Sequence, residues 1–311
     1  MPDCLYSLPV PLLLGGATAT GKSDVAVALA LAVDGEIVNG DPFQMWAGVP
    51  ILTAQPAPEQ SRRVPHHLYG FARPGEERNA AGFAGIVREK CERIAATGRL
   101  PIVVSGSGLY LRAIAGGLDM DIPASDPEVR AGLESRSLAD LVDELTRLDP
   151  EEAARIDLRN PRRVVRALEI CLVSGKRAST LRKRQHDSLK PSPAGVWLDV
   201  GRDMLRDRIA RRCQWMFEAG VLTEVEQLDC VGAGEAVDRT LGLREVRACL
   251  RGEATRAEAT AALTSATWRL AKRQRTWFRK ANDLIALPYV PDAENAVRQA
   301  AEAILRLFRF R

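Results

Sequence analysis

The feature that most constrains the fold of this chain is a glycine-rich loop close to its first residues. An apolar run, Pro11–Leu14, leads into a match to the pattern G-x-x-x-x-G-K-S, and an alanine- and valine-rich stretch follows. Strand, glycine loop and helix in this order are typical of a phosphate-binding loop. Its glycines let backbone N–H groups face phosphate oxygens, Lys22 adds a positive charge, and the Ser23 hydroxyl is placed to hold Mg²⁺. We therefore predict a bound di- or triphosphate with Mg²⁺ at eight residues: Gly16, Ala17, Thr18, Ala19, Thr20, Gly21, Lys22 and Ser23.

The remaining pattern predicts an α/β fold, a parallel sheet flanked by helices as in P-loop NTPases. Short apolar strands alternate with helical stretches, which places the ligand site at the carboxyl ends of the strands. The predicted strands after the first are 36–39, 100–104 and 196–200. We expect residues 47–79 to be mostly loop and 203–311 to be helical throughout.

Residues 121–193 contain helix starts but no strand pattern. We predict that they form an all-helical insertion domain. The two flanking stretches, 1–120 and 194–311, then make up the P-loop α/β core with a helical C-terminal part.

Composition excludes several classes of protein. No stretch approaches the roughly 20 apolar residues of a membrane span, and the opening residues are expected to be a core strand rather than a signal peptide. Six cysteines are widely scattered without a C-x-x-C pair, which disfavours a disulfide framework and structural zinc. A reducing cytoplasmic location fits best.

Charge is distributed unevenly along the chain. Residues 1–160 carry 15 Lys/Arg against 22 Asp/Glu, and residues 161–311 carry 29 against 18. The second half is therefore strongly basic, which suits binding of a polyanion such as a nucleic acid. A solvated arginine-rich surface explains the charge equally well.

One carboxylate, Asp41, follows a predicted strand at the ligand edge of the sheet. A nucleoside triphosphatase would place an acid after another buried strand, but the strand 100–104 ends in Ser-Gly-Ser-Gly. On chemistry alone, three roles fit Asp41 equally: a Mg²⁺ ligand, a turn residue, or a general base beside the phosphates.

Seven segments spread along the chain resemble the tRNA dimethylallyltransferase (tRNA isopentenyltransferase) family. They are Gly16–Ser23, Asp41–Gln44, Val64–Leu68, Leu100–Leu111, Asn160–Glu169, Thr240–Glu245 and Ala271–Arg279. The resemblance implies transfer of a dimethylallyl group from dimethylallyl diphosphate to N6 of adenosine at tRNA position 37, next to the anticodon. In such a reaction the loop holds a leaving diphosphate, so no hydrolytic water is needed.

The resemblance also implies roles for individual residues. It implies catalytic roles for Asp41, as the base, and for Lys22 and Ser107. It also implies that Arg202 binds the diphosphate, although Arg202 could instead be an ordinary surface arginine. Contacts with tRNA fall on Asp41, Pro42, Phe43, Gln44, Ser107, Arg130, Arg162, Arg163, Val164, Val165, Arg166, Lys272 and Arg273. The helical insertion would hold the anticodon stem-loop, and the target base would flip out of its stack.

The expected contacts on two helices have alternatives. Arg162 and Arg166 share a helix face while Val164, Val165 and Leu168 would pack inward, so the arginines also suit a solvated face. Near Lys272 and Arg273, tryptophans interleave with basic residues, as in base contacts, although tryptophans are more often core.

The chain departs from the family pattern at two loops. Pro42 and Phe43 replace a Ser-Met pair, which removes a backbone donor and a hydroxyl near the expected adenosine. Ser107 replaces a threonine and keeps the hydroxyl. The adjacent pair His66-His67 is not expected to share a metal, because neighbouring side chains on a strand point to opposite faces.

Three alternatives remain beside tRNA prenyl transfer. They are a prenyltransferase acting on free adenine nucleotides, a P-loop small-molecule kinase whose lid is the insertion, and a non-catalytic RNA-binding relative. We expect no obligate protein partner.

Overall fold

A computed structural model describes residues 10–76, 79–116, 122–123, 125–182, 195–232 and 234–308. Its centre is a six-stranded sheet in the order β3-β2-β4-β1-β5-β6. Every neighbouring pair of strands is parallel, which confirms the predicted sheet. The strands are β1 Leu12–Gly16, β2 Gly35–Asn39, β3 His66–His67, β4 Leu100–Ser105, β5 Gly195–Val200 and β6 Ile285–Tyr289.

Fourteen helices with complete bounds accompany the sheet in the part of the chain that the structure describes. Those up to residue 182 are α1 Lys22–Val33, α2 Pro58–Arg63, α3 Ala80–Ala96, α4 Gly108–Ile114, α5 Pro127–Glu134, α6 Leu138–Leu148, α7 Pro150–Arg155 and α8 Pro161–Ser174. The later ones are α9 Arg202–Glu218, α10 Val221–Val231, α11 Glu235–Asp238, α12 Leu243–Leu250, α13 Arg256–Phe278 and α14 Ala296–Leu307.

The central strand β1 is buried along its whole length because strands lie on both sides of it and helices, among them α1, α4 and α13, pack against it. Its Gly15 faces the end of α13. A side chain there would place a Cβ 2.5 Å from the Phe278 ring, so glycine is required for the helix to approach the strand this closely. This contact brings the C-terminal end of α13 over the phosphate loop that follows β1.

The expectation that 203–311 is helical throughout is wrong at one element, the edge strand β6. Among the described residues the segment pairs with β5 alone, and it alternates between more and less buried positions. Pro288 interrupts its donor pattern, which an edge strand tolerates because one side needs no ladder hydrogen bonds. The predicted loop 47–79 likewise contains the short helix α2 and the two-residue strand β3.

The described residues fall into two compact units. One comprises those of Met1–Ala115 and Pro191–Arg311, and the second comprises those of Gly116–Lys190. The predicted boundaries at 120/121 and 193/194 lie outside the described residues. In the second unit, helices α5 to α8 enclose an apolar core, and its described residues include no strand.

Local capping explains where the helices of the second unit begin. The side chains of Asp126, Ser137 and Asp149 each accept a hydrogen bond from a backbone N–H in the first turn of α5, α6 and α7. Pro at the first position of α5 and α7 supplies a suitable φ where no donor is needed. The predicted helix starts at Asp126 and Asp149 are therefore confirmed.

Within its described residues, the structure has no helix that is long and apolar enough to cross a membrane. The cysteines among them, Cys91, Cys171, Cys213, Cys230 and Cys249, are free thiols, while Cys4 lies outside the described part.

Candidate active site

The phosphate loop connects β1 to α1 through a series of unusual backbone conformations. Gly16, Ala19 and Gly21 have φ values of 149°, 64° and 90°. Two of these positions carry glycine, for which positive φ has little cost, while Ala19 holds the left-handed conformation with a side chain. After these turns the chain enters α1 at Lys22. The free N–H groups and the dipole at this helix N-terminus favour binding of an anion.

Lys22 lies at the centre of this loop. Its Nζ donates a hydrogen bond to the Ala17 carbonyl at 2.9 Å. Burial lowers the pKa of Lys22 to about 8, an effect that the charge of Asp41 opposes and that of Arg212 reinforces. The ammonium is thus held by a neutral carbonyl, within the electrostatic influence of both a carboxylate and a guanidinium.

Two arginines of α9 contact the loop, and sequence reasoning missed both. Arg212 donates to the Thr18 hydroxyl, and Arg208 Nε donates to the Ala19 carbonyl at 2.9 Å. Burial lowers the pKa of Arg212, whose buried Nε has no hydrogen-bond partner among the described residues. The signal in the sequence is their spacing of four on the helix after β5, which puts both on one face.

The arginine singled out from the sequence, Arg202, lies elsewhere. It is exposed at the start of α9, and its guanidinium stacks 5.9 Å above the Trp268 ring. Its structural contact is therefore with an aromatic side chain of α13, and Arg208 and Arg212 contact the phosphate loop instead.

Asp41 lies in a tightly bonded turn after β2. The buried Asn39 accepts from Asp41 N at 2.8 Å and donates to the carbonyls of Asp41 and Leu68. The carboxylate of Asp41 accepts from Phe43 N at 3.0 Å and from Gly106 N at 2.9 Å. Two backbone donors from neighbouring loops therefore fix its orientation, because each oxygen has one of them.

The surroundings of Asp41 are both aromatic and charged. Burial raises the pKa values of Tyr69 and Tyr110, and the negative charge of Asp41 raises them further. Because Asp41 also acts on Lys22, one site brings together the acid and the phosphate loop that the sequence singled out.

The Gln44 amide is turned toward its own loop. Its Nε2 donates to the carbonyls of Thr53 at 3.1 Å and Ala54 at 2.5 Å. That loop is held in turn by Glu224, whose carboxylate accepts from two backbone N–H groups at 2.7 and 2.8 Å. Only the amide oxygen of Gln44 remains available for the adenine contact expected from the sequence.

The glycine turn after β4 forms the other wall of the site. Ser105 Oγ accepts from Ser107 N at 2.9 Å, which closes the turn, while the half-buried Ser107 makes no capping hydrogen bond to α4. A Cβ on Gly108 would lie 1.9 Å from the Trp277 ring, so this tryptophan packs directly on the turn. Trp277 is therefore a packing residue, as the alternative interpretation predicted.

The residues expected to contact tRNA occupy contrasting environments. Val164 and Val165 are buried in the core of the second unit, so their side chains are not exposed to a ligand, and the contact of these two residues with tRNA stays a prediction. Arg162 and Arg163 precede them on α8 and are exposed. Inward packing of the two valines follows from the period of the helix, which the apolar pattern already predicted.

Arg130 and Arg166 form ion pairs with a buried acid of the second unit. Both pair with the fully buried Glu169, Arg166 at 2.8 Å and Arg130 at 3.7 Å. Arg166 also donates to the Pro123 carbonyl at 2.6 Å. Their structural contacts thus stabilise a buried charge, which would otherwise be costly.

On α13, Lys272 and Arg273 are exposed. They lie immediately before Gln274, whose side chain accepts a hydrogen bond from Thr18 N in the phosphate loop at 2.9 Å. Sequence reasoning missed this glutamine as a site residue, and only its position within the segment Ala271–Arg279 pointed to it.

The two histidines of β3 do not form a pair. His66 Nδ1 contacts the Val64 carbonyl at 2.8 Å, and His67 Nε2 contacts a carboxylate oxygen of Glu36 at 2.5 Å. Among the described residues, no group of three or more His, Cys, Asp or Glu side chains could hold a metal.

The donor chemistry nevertheless fits Mg²⁺ bound together with a phosphate ligand. Mg²⁺ commonly takes one or two protein ligands and completes its shell with phosphate oxygens and water. Ser23, in the first turn of α1 directly after Lys22, offers a half-buried hydroxyl of this kind.

Comparisons with known proteins agree with this architecture. Two bacterial relatives, the tRNA dimethylallyltransferases of Streptomyces avermitilis and Thermobifida fusca, are each 40% identical to this chain. The first match covers 280 residues, 88% of each chain, and the second covers 297 residues, 92% of this chain and 91% of the relative.

Solved structures give the same result. The full-length tRNA isopentenylpyrophosphate transferase of Bacillus halodurans is 32% identical, with a TM-score of 0.65 over 96% of this chain and 99% of that chain. A eukaryotic dimethylallyltransferase, captured in crystallographic snapshots acting on tRNA, is 25% identical, with a TM-score of 0.80 over 96% of this chain and 79% of that chain.

The family model of the IPP transferases matches residues 44–281, about three quarters of the sequence. Relatives that are 40% identical over most of both chains point to the same family. The chain belongs to the IPP transferase family.

Proposed function

We propose that this protein transfers a dimethylallyl group from dimethylallyl diphosphate to N6 of an adenosine in tRNA, at position 37 next to the anticodon. The observation that carries the proposal is a phosphate loop with two half-buried cations, Lys22 and Arg212, beside an anchored carboxylate, Asp41. Membership of the family and the names of the relatives point to the same reaction.

The phosphate loop acts on the leaving group. As the allylic C–O bond breaks, its electron pair passes to the diphosphate, and negative charge grows there. The amides at the start of α1, the Lys22 ammonium and the Arg212 guanidinium are already oriented around the loop, so they stabilise that charge without further reorganisation. A Mg²⁺ ion held by Ser23 and the phosphates would neutralise further charge.

Asp41 acts on the nucleophile. An exocyclic adenine amine is weak because its lone pair is delocalised into the ring. As N6 bonds to the allylic carbon, one proton leaves N6, and the Asp41 carboxylate accepts it. The N–H groups of Phe43 and Gly106 occupy one lone pair on each carboxylate oxygen, which aims the remaining lone pairs and leaves them free for the proton.

Binding of tRNA is assigned to exposed cations. Lys272 and Arg273 lie on the helix whose next residue contacts the phosphate loop, and Arg162 and Arg163 lie on the second unit. Such residues contact phosphates and give salt-dependent affinity. Access of the target base to the loop requires that it flip out of the stacked anticodon arm. We further place this reaction in the cytoplasm, with no obligate protein partner.

The test is incubation with dimethylallyl diphosphate, Mg²⁺ and either unmodified tRNA or AMP, followed by mass analysis of the nucleosides. The proposal predicts N6-(dimethylallyl)adenosine from tRNA and none from AMP. Modified AMP without modified tRNA, or ATP turnover without a prenylated product, would contradict it.

A further inference from the structure

Gln274 reaches from α13 into the gap between the two loops of the site. Its Oε1 accepts a hydrogen bond from Thr18 N at 2.9 Å. Its Nε2 lies 2.8 Å from the point where a Cβ on Gly106 would be, and that point is 3.0 Å from the Asp41 carboxylate. One side chain therefore contacts the phosphate loop and borders the turn that holds the acid.

The contact between Gln274 and Thr18 N fixes the orientation of the whole peptide group between Ala17 and Thr18. The peptide between Ala17 and Thr18 is planar, and in the trans form its N–H and C=O point in opposite directions. The N–H end binds Gln274, while the Ala17 carbonyl at the other end accepts from Lys22 Nζ at 2.9 Å and from the Thr20 hydroxyl at 2.8 Å. Rotation of this peptide would therefore break the bond to Gln274 and the bond to Lys22 together.

Two neighbours in α13 fix the position of Gln274. Phe278 packs where Gly15 lacks a side chain, and Trp277 packs in the same way on Gly108. The ring planes of Trp277 and Phe278 are nearly perpendicular, with centroids 5.2 Å apart. Because both contacts require glycine in the facing chain, this end of α13 can occupy only a narrow range of positions relative to the loop.

We propose that Gln274 is a positioning residue for the diphosphate. It holds the Ala17–Thr18 peptide in the orientation that places the Lys22 ammonium, and it keeps the phosphate loop at a fixed distance from the turn around Asp41. The identity of the ligand rests on the proposed function, while the positioning role rests on the contacts of Gln274 alone.

The main variant is Gln274→Met, which keeps the length of the side chain but removes the acceptor. Calorimetry with the full chain, inorganic pyrophosphate and Mg²⁺ should show an affinity about tenfold weaker, the usual effect of one buried hydrogen bond. The KM for dimethylallyl diphosphate should rise by a similar factor while the KM for tRNA stays within about twofold. The matched control is Thr276→Ala on the same helix. The exposed Thr276 hydroxyl donates to the Lys272 carbonyl, and its loss should leave pyrophosphate affinity unchanged.

A second variant, Gly106→Ala, tests the same contact independently in case Gln274→Met does not fold. In Gly106→Ala the new methyl group meets Gln274 Nε2 at 2.8 Å and the Asp41 carboxylate at 3.0 Å, so the flexible end of Gln274 must move. We expect weaker pyrophosphate binding here too, and the double variant should bind no more weakly than Gln274→Met, because both changes act on pyrophosphate through the contact between Gln274 and Thr18.

Unchanged pyrophosphate affinity in Gln274→Met, an equal rise of both KM values, or additive losses in the double variant would overturn the positioning role. If Gln274→Met weakens pyrophosphate binding but the wild-type protein does not modify tRNA, the positioning role stands and the proposed function fails.

Discussion

Two sites of this protein, one in each compact unit, hold charged groups of low exposure in different ways. In the second unit, the fully buried acids Glu152 and Glu169 are each surrounded by arginines that form ion pairs with them. In the first unit, Lys22 and Arg212 donate instead to a backbone carbonyl and a hydroxyl of the phosphate loop, and neither pairs with a described carboxylate.

This difference in partners distinguishes charges that stabilise the fold from charges that can bind a ligand. A buried ion pair is neutral as a unit and fixes the packing of its helices, so it attracts nothing from solution. A half-buried cation held by neutral oxygens keeps its charge available to a ligand, and its lowered pKa reflects the cost of removing that charge from water. The contrast predicts that substitutions in the two units affect different measurements.

The largest expected effect belongs to Asp41→Asn. The amide keeps an acceptor for the Phe43 N–H but cannot take up the N6 proton, so the single-turnover rate should fall by about 10²–10⁴ while tRNA affinity hardly changes. Rapid-quench kinetics with separately measured tRNA binding checks this. The control is Asp24→Asn, an exposed carboxylate of α1 that should leave the rate unchanged. Lost tRNA affinity at an unchanged rate would move Asp41 out of the base role.

The second-largest expected effect is a loss of stability in the second unit. Glu169→Ala leaves Arg166 and the Ser125 hydroxyl without their carboxylate partner, so the free energy of unfolding should fall by about 3–5 kcal/mol. Denaturant titration measures this, and pyrophosphate affinity should not change. Glu134→Ala, which removes only an exposed partner of Arg130, should cost less than about 1 kcal/mol. Equal losses of unfolding free energy in Glu169→Ala and Glu134→Ala would contradict the special role of the buried ion pairs.

The third effect is a pH dependence of stability that is carried by Asp149. Burial opposes its ionisation, but hydrogen bonds from Ser179 and from Glu152 N–H outweigh that cost and lower the pKa of Asp149. A lowered pKa in the folded state means that the stabilisation is present above the unfolded value of about 3.9 and is lost as the pH falls through the folded value. Acid unfolding curves of Asp149→Asn should therefore be shallower below about pH 4 than those of the wild type. Identical curves would show that Asp149 does not contribute.

The smallest effect concerns the exposed cations. Arg163→Ala should weaken tRNA binding modestly and reduce the slope of log affinity against log salt by about one. The control is Arg159→Ala, an arginine that is almost fully exposed and pairs with Asp157 in the same unit. If the salt slope is the same in wild type and Arg163→Ala, the arginine belongs to a solvated helix face.

Local features of the structure were predictable from the sequence, because their causes are local. The phosphate loop follows from its glycines and from the strand and helix around it, and Asp41 stands out as the acid beyond a strand. Burial of Val164 and Val165 follows from helical period. In each case the deciding residues lie within a few positions of one another.

The remaining features depend on contacts between distant parts of the chain. Arg208 and Arg212 contact loop residues 189 and 194 positions away, and Gln274 contacts one 256 positions away. The spacing of Arg208 and Arg212 puts them on one face of α9, but no local pattern specifies that this face contacts the loop, so Arg202 was a reasonable but incomplete choice. The edge strand β6 was missed because Pro288 weakens its pattern and a single neighbour, β5, stabilises it.

The central claim is that the phosphate loop stabilises a departing diphosphate while Asp41 takes up the proton of the attacking amine. A crystal structure with Mg²⁺ and an unreactive thio analogue of dimethylallyl diphosphate tests it most directly. We expect both phosphorus atoms over the loop of Gly16–Ser23, with the allylic carbon facing Asp41. Phosphates bound elsewhere, or a hydrocarbon tail directed away from Asp41, would contradict the account.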